Sequence, residues 1–241
     1  EEFRTNNSAL GYDEAVPGGP FVKIGVGVLR KGSEPRYAFT IPFEILDTGR
    51  WSARRRGDRV EFTQTLKGPA GYAYVYSKRV MLVRGRPELV LEHRLRNTGS
   101  RTIETTVYNH NFFVLDNLPS GPGFTVRFPF ELKAAGDLRG LAEVRGNQIV
   151  YLKELAEGQS AGASLTGFGA DAKDYDIRFE NRAAGAGARV TADRPIDSLY
   201  FWTARTTVCP EPYIRLRIEP GRETSWRIRY EFYTLPGAGP N

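Results

Sequence analysis

The stretch Tyr108-Asn109-His110-Asn111-Phe112-Phe113 holds one of only two histidines in the chain, set between two asparagines and followed by two phenylalanines. Two amides and an imidazole bring several donors and acceptors to one place, and each is costly to bury without a partner. Flat apolar rings beside such a cluster suit a pyranose, which has a C–H face to lie on a ring and hydroxyls around its edge. Read by itself, the stretch also fits a satisfied core histidine with amides capping a turn. A second group of interest is Glu211, in Val208-Cys209-Pro210-Glu211-Pro212-Tyr213. The prolines fix their own φ, and Pro212 pushes Glu211 away from helical geometry, so its carboxylate is presented in a set direction. Alone, Glu211 also reads as a surface charge at a strand entrance.

The remaining inventory narrows the chemistry. Two histidines and one cysteine give no local Cys/His pairing of the zinc-binding kind. No phosphate-cradling Gly-x-x-x-x-Gly-Lys is present. Cys209, between Val208 and Pro210, reads as an inert buried thiol rather than a nucleophile. Acid–base work by a histidine and a carboxylate stays open and calls for neither metal nor cofactor. A histidine and carboxylate lining one cleft, several ångströms apart with room for a pyranose between, would support acid–base work.

The elements that must position these groups are strands. The 26 glycines, 15 prolines and 12 tyrosines supply turns and strand-favouring rings. Strands are expected over 21–29, 37–46, 71–83, 89–96, 102–114 (carrying His110), 124–132, 174–181, 188–193, 198–203, 213–218 and 224–233. A hairpin of 51–56 and 60–66 is expected around Gly57-Asp58, and 134–162 is weakly patterned. Alternation places His93 on one face with Leu89, Leu91 and Leu95, as a buried structural histidine. No good amphipathic helix, repeat or domain-scale linker is found, so the chain reads as one all-β domain over residues 1–241.

Charge and composition exclude some partners. The net charge is +6, but the arginines alternate along strands (Arg215 and Arg217, Arg227 and Arg229) and do not cluster with aromatics on a recognisable module. A nucleic-acid partner is therefore not expected. No run of about 18 apolar residues would carry the chain across a membrane as a helix. Compartment and oligomeric state stay open.

The motifs resemble those of the aldose 1-epimerases (galactose mutarotases). Asn109-His110-Asn111-Phe112-Phe113 resembles their Asn-His-x-Tyr-Phe strand, and Cys209-Pro210-Glu211-Pro212-Tyr213 their Glu-Pro segment near the C-terminus. Leu10-Gly11-Tyr12-Asp13 is similar to an early Leu-Gly-Phe-Asp segment, Gly71-Tyr72 to a mid-chain Gly-Tyr, Asn97-Thr98-Gly99 to an asparagine turn, and Glu219-Pro220-Gly221 to a late Pro-Gly turn. The resemblance implies a β-supersandwich of large antiparallel sheets with an open sugar cleft. It implies Glu211 as base for the C1 hydroxyl and His110 as acid for the ring oxygen. Sugar contacts would fall to Asp176, Asn109, Asn111, Tyr213 and Arg30, the last a loose match to a family arginine. The ligand would be a mono- or oligosaccharide. The family's second histidine, expected between Tyr37 and Trp51, has no counterpart, and strands preceding Leu10 look trimmed away. These departures leave two functional readings: a divergent epimerase, or a non-catalytic sugar-binding protein that kept the cleft.

Overall fold

Side-chain alternation decides most of the elements. From Leu91 to Asn97, residues 91, 93, 95 and 97 are buried while Arg94 and Arg96 face out. Near the C-terminus Trp226, Ile228 and Tyr230 point inward, and Arg215, Arg217 and Arg227 are exposed, as their spacing predicts.

In the computed structural model, residues 1–236 are described. The chain runs through β1 (Glu2–Arg4), β2 (Pro20–Lys23), β3 (Gly27–Arg30), β4 (Ile45–Asp47), β5 (Arg50–Arg56), β6 (Arg59–Lys67), β7 (Ala73–Leu82), β8 (Glu88–Asn97) and β9 (Ile103–Tyr108). It continues through β10 (Phe124–Arg127), β11 (Lys133–Ala135), β12 (Ala142–Arg145), β13 (Gln148–Tyr151) and β14 (Ser160–Thr166). After a 3-10 turn at Ala172–Asp174 come β15 (Asp176–Asn181), β16 (Ala186–Ala192), β17 (Ser198–Ala204), β18 (Thr207–Ile218) and β19 (Glu223–Thr234). The strands form a six-stranded sheet ordered β1-β9-β18-β17-β14-β11 and a ten-stranded sheet ordered β12-β13-β10-β15-β16-β19-β8-β7-β6-β5. A three-stranded sheet, β2-β3-β4, completes the fold, and the described pairings are antiparallel.

The chain divides into two compact units. One comprises residues 1–81, 91–108 and 215–226, the other residues 82–90, 109–214 and 227 onward. In the first, Tyr12 and Phe21 meet edge to face at 5.0 Å, and Tyr37 stacks on Phe43 at 5.6 Å. Asn97 closes a turn there: its amide donates to the carbonyls of Arg101 (2.7 Å) and Ile218 (2.8 Å) and accepts from Gly99 N–H (3.0 Å). The second unit buries Phe124, Val126, Ile149, Tyr151, Ile177, Phe179, Leu199 and Phe201.

Several expected strands differ; 124–132 is a strand only over Phe124–Arg127, and 213–218 is the end of the longer β18. Residues 21–29 are a hairpin, β2 and β3, because Gly25 takes a left-handed φ of +82° in the turn. Gly27 does admit another backbone, since a Cβ there would sit 2.2 Å from the Asp47 carbonyl oxygen. Residues 37–44 lie outside any strand, and only Ile45–Asp47 is extended and paired, after the break at Pro42. The strand expected over 102–114 ends at Tyr108, two residues short of His110.

His93 is buried, 1% exposed, and its ring lies in an aromatic stack: 4.8 Å from Trp226 and 6.1 Å from Tyr76, nearly parallel to both. Its Nδ1 is 2.9 Å from the Tyr76 hydroxyl, while Nε2 is buried without a hydrogen-bond partner. Burial, partly opposed by the Glu1 carboxylate, lowers its pKa to about 4. The unfolded chain therefore binds this proton near pH 6.5 and the folded chain does not, so the contribution is full above pH 6.5 and falls away as pH drops towards 4. The loss amounts to roughly 3 kcal/mol over that window. His93→Gln should cost roughly 1–3 kcal/mol at neutral pH through a misplaced polar group, and it should flatten the decline between pH 6.5 and 4 in urea denaturation. Equal slopes for parent and variant would assign that decline to another group.

Candidate functional site

Strand β18 runs straight through both prolines, which is unusual because proline cannot donate to a ladder. The direction of the missing donors explains it. Phe113 and Val208 form an isolated antiparallel bridge, each N–H donating to the other's carbonyl at 3.1 Å. Backbone N–H groups two residues apart point to the same side of a strand, so the nitrogens of Pro210 and Pro212 face the same edge as that of Val208. Counting from the bridge, they face Asn111 and Asn109. The opposite edge keeps its pairing with β17, in the register Trp202↔Cys209 and Tyr200↔Glu211. Asn111 N–H turns back to the Asn109 carbonyl at 3.0 Å. The segment 109–112 thus leaves the ladder, and His110 sits on irregular backbone just past β9.

His110 bridges two side chains of β18. Its Nδ1 lies 3.0 Å from Cys209 Sγ and its Nε2 3.4 Å from Glu211 Oε1. Cys209 and Glu211, two apart on one strand, share a face. The Tyr213 hydroxyl, next on that face, donates to Glu211 Oε2 at 3.2 Å. Glu211 is 5% exposed, whereas the His110 side chain is 30% exposed. Burial, and then the neighbouring Glu211 carboxylate, push the Cys209 thiol well above its usual range, against a lowering contact from Asn111 N–H. A thiol so held keeps its proton, and it lies against both His110 Nδ1 and the Glu211 carboxylate. It is a poor nucleophile in this state. Instead of a ring-sized gap, the imidazole and the carboxylate are in direct contact.

Aromatic rings border the pair. Phe112 is 61% exposed and stacks on His110 at 4.3 Å, and Trp202 stands edge-on to both rings, at 5.9 Å and 6.1 Å. Tyr200, directly opposite Glu211, extends its hydroxyl across β14, where a Cβ on Gly162 would lie 2.5 Å from it. Any residue larger than glycine would displace that ring. Trp202 and Tyr200 were not anticipated, although their spacing in the alternating segment 198–203 puts them on one face.

The other expected residues divide. Asn109 Nδ2 donates to the Tyr230 hydroxyl at 2.9 Å, and that hydroxyl donates to Asn111 Oδ1 at 3.0 Å, so both amides are anchored through one phenol. His110, Glu211, Asn109, Asn111 and Tyr213 are thereby brought together. Asp176 is not part of this group. It forms a two-pronged ion pair with Arg189 (2.7 and 2.6 Å), and alternation along β15 turns it away from Phe179, which stacks on Phe113 at 4.2 Å. Arg30 belongs to the first unit, at the exposed end of β3, where it binds the Glu44 carboxylate at 2.7 Å and the Gly18 carbonyl at 3.2 Å. Among the described residues His110, Cys209 and Glu211 also form one group of metal-capable donors, with one ligand atom from each lying within 4.8 Å of the others.

Solved structures share this architecture. A galactose mutarotase-like protein from Clostridium acetobutylicum superposes with a TM-score of 0.57 at 12% identity over 97% of this chain and 78% of its own. A putative aldose 1-epimerase from Escherichia coli K12 gives 0.54 at 13% identity, covering 92% and 81% of the two chains. A galactose mutarotase-like protein from Lactobacillus casei gives 0.56 at 14%, covering 76% and 73%. The fold is galactose mutarotase-like. No sequence-family description matches the chain, and no curated protein matches it by sequence. Identities this low establish the mutarotase-like fold alone. No helix among the described residues is long and apolar enough to cross a membrane.

Burial of Cys209 gives a direct check on the site, since it is the only cysteine. Alkylation by iodoacetamide at mildly alkaline pH should be slower in the folded chain than in denaturant by on the order of 100-fold or more. Labelling at comparable rates in both states would mean that the thiol is open and ionised.

Proposed function

We propose that the chain is a carbohydrate-active isomerase of the aldose 1-epimerase type, with Glu211 as base and His110 as acid. The observation supporting this reading is the convergence of these two groups, from segments far apart in sequence, at 3.4 Å beside the rings of Phe112, Trp202 and Tyr200. Proteins of the same fold are described as a putative aldose 1-epimerase and as a galactose mutarotase-like protein, which favours a sugar as the ligand. With a sugar bound, the His110–Glu211 contact opens. Glu211 takes the proton of the C1 hydroxyl while protonated His110 gives one to the ring oxygen, and the C1–ring-oxygen bond breaks to leave the open-chain aldehyde. Rotation about C1–C2 exposes the other face of the carbonyl. Re-attack by the hydroxyl then closes the ring, returning one proton to His110 and taking one from Glu211. No cofactor takes part in these steps.

Retention of the cleft for binding alone is the second reading. Two observations favour it: the acid and base contact one another directly, and Asp176, a proposed sugar contact, is held by Arg189 on another face. Polarimetry on a panel of monosaccharides, run beside thermal shift, separates the two. Anomer exchange faster than the buffer rate is expected on the first reading, and ligand stabilisation without any acceleration on the second. Glu211→Gln keeps the shape and removes the charge, so folding should survive while turnover falls by about 100-fold or more. His110→Gln should also abolish turnover. A Glu211→Gln variant as active as the parent would remove Glu211 from the mechanism.

A further inference from the structure

We propose that His110, Cys209 and Glu211 together bind one thiophilic divalent transition-metal ion of the Zn2+ class. The chain has one cysteine and two histidines, and the cysteine meets one of those histidines beside a buried carboxylate. One donor atom from each lies within 4.8 Å of the others. A tetrahedral ion with bonds of about 2.0–2.3 Å places its ligands roughly 3–4 Å apart, close to the 3.0 and 3.4 Å separations already present. The imidazole now offers different nitrogens to the two β18 residues, so a modest turn of that ring would bring a single nitrogen to a common ion.

The donor types set the metal class. Sulfur, nitrogen and oxygen together suit Zn2+ and its neighbours, whereas Mg2+ and Ca2+ favour oxygen shells. Thiolate and carboxylate would balance the ion's charge. Binding would break the Cys209 S–H bond and form a metal–sulfur bond, releasing one proton to solvent. Three protein ligands leave a fourth position for water. Outer contacts are in place: the Tyr213 hydroxyl on Glu211, Asn111 N–H at Cys209, and Phe112 stacked on the imidazole. Cys209 and Glu211 stand on a strand paired along β17, while the partly exposed His110 offers the way in.

This proposal rests on the donor set and does not require the chain to turn over a sugar. If it does, on the acid–base reading, the metal occupies both acid and base and silences turnover until a chelator removes it. The test starts from chain stripped with chelator and then desalted. Titration with Co2+ should give a thiolate-to-cobalt charge-transfer band that saturates at one equivalent and is bleached by Zn2+. Calorimetry of Zn2+ binding in two buffers of different ionisation enthalpy should show about one proton released per ion. Cys209→Ser should abolish the band, and it and His110→Gln should each weaken Zn2+ binding by on the order of 100-fold, with His93→Gln, outside the cluster, binding as the parent does. Absence of the band from the parent at saturating Co2+, or Zn2+ binding that survives both substitutions, overturns the site. Because the band is read on the parent chain, the result holds even where a variant fails to fold. A missing band leaves the sugar reading intact, and missing mutarotation in chelator leaves the metal site intact.

Discussion

Pro210 and Pro212 remove from β18 two backbone donors aimed at Asn111 and Asn109, and the centre of the second unit follows from that loss. An uninterrupted antiparallel ladder would carry β9 on to the Phe113↔Val208 bridge. Without the two donors, pairing stops at Tyr108 and resumes at Phe113, and the four residues between are free to adopt irregular backbone. The side-chain amides of Asn109 and Asn111 meet at the Tyr230 hydroxyl, which accepts from Asn109 Nδ2 and donates to Asn111 Oδ1, while Asn109 Oδ1 is buried without a hydrogen-bond partner. The prolines cost nothing on the other edge, where β17 still pairs from Ala204 to Ser198. Strand stiffness on one side and freed backbone on the other are what set an imidazole over a carboxylate.

Two carboxylates of the same unit show how differently a buried or half-buried acid can be held. Asp176 is clamped by both prongs of the Arg189 guanidinium, an arrangement that fixes charge and geometry together. Glu211 is more deeply buried, with the Tyr213 hydroxyl donating to Oε2 at 3.2 Å and His110 Nε2 lying 3.4 Å from Oε1. A carboxylate in the first arrangement is an ion-pair partner. Either proton transfer or metal ligation at Glu211 requires it to exchange the partners it now has. Cys209 extends the same chain of contacts by one group, its thiol kept protonated by burial.

Much of the fold was legible because it depends on period and punctuation. The hairpin at Gly57-Asp58, the pair around Gly85-Arg86-Pro87, the inward His93 and the outward arginines all follow from alternation and turn residues. The hairpin at residues 24–26 was hidden because alternating glycines and valines fit an extended strand as well as a turn, and only the positive φ of Gly25 distinguishes them. The site was half legible. His110, Glu211 and the asparagines announce themselves by type, and the prolines hint at rigidity. What sequence could not convey is that Cys209, 99 positions further along the chain, comes against His110. Local spacing rules for metal and nucleophile sites are blind to such pairs. Asp176 lies apart from the group for a simpler reason, since period-two alternation turns it away from its buried neighbours Tyr175 and Ile177.

The closed His110–Glu211 contact bears on how a ligand could be admitted. Separating the two takes the imidazole away from a buried carboxylate, and a buried polar group that loses a partner costs more than a typical hydrogen bond contributes. A sugar hydroxyl can make good that loss, because it donates to Glu211 while the ring oxygen accepts from Nε2–H. On the sugar reading the exchange would conserve hydrogen bonds, so affinity would rest largely on stacking against Phe112 and Trp202, which are already in place beside His110. A metal ion resolves the same problem by a different route, replacing the contacts on each side of the imidazole with direct ligand bonds. Both occupants need the contact to open, and a single side chain, His110, is the one exposed enough to move.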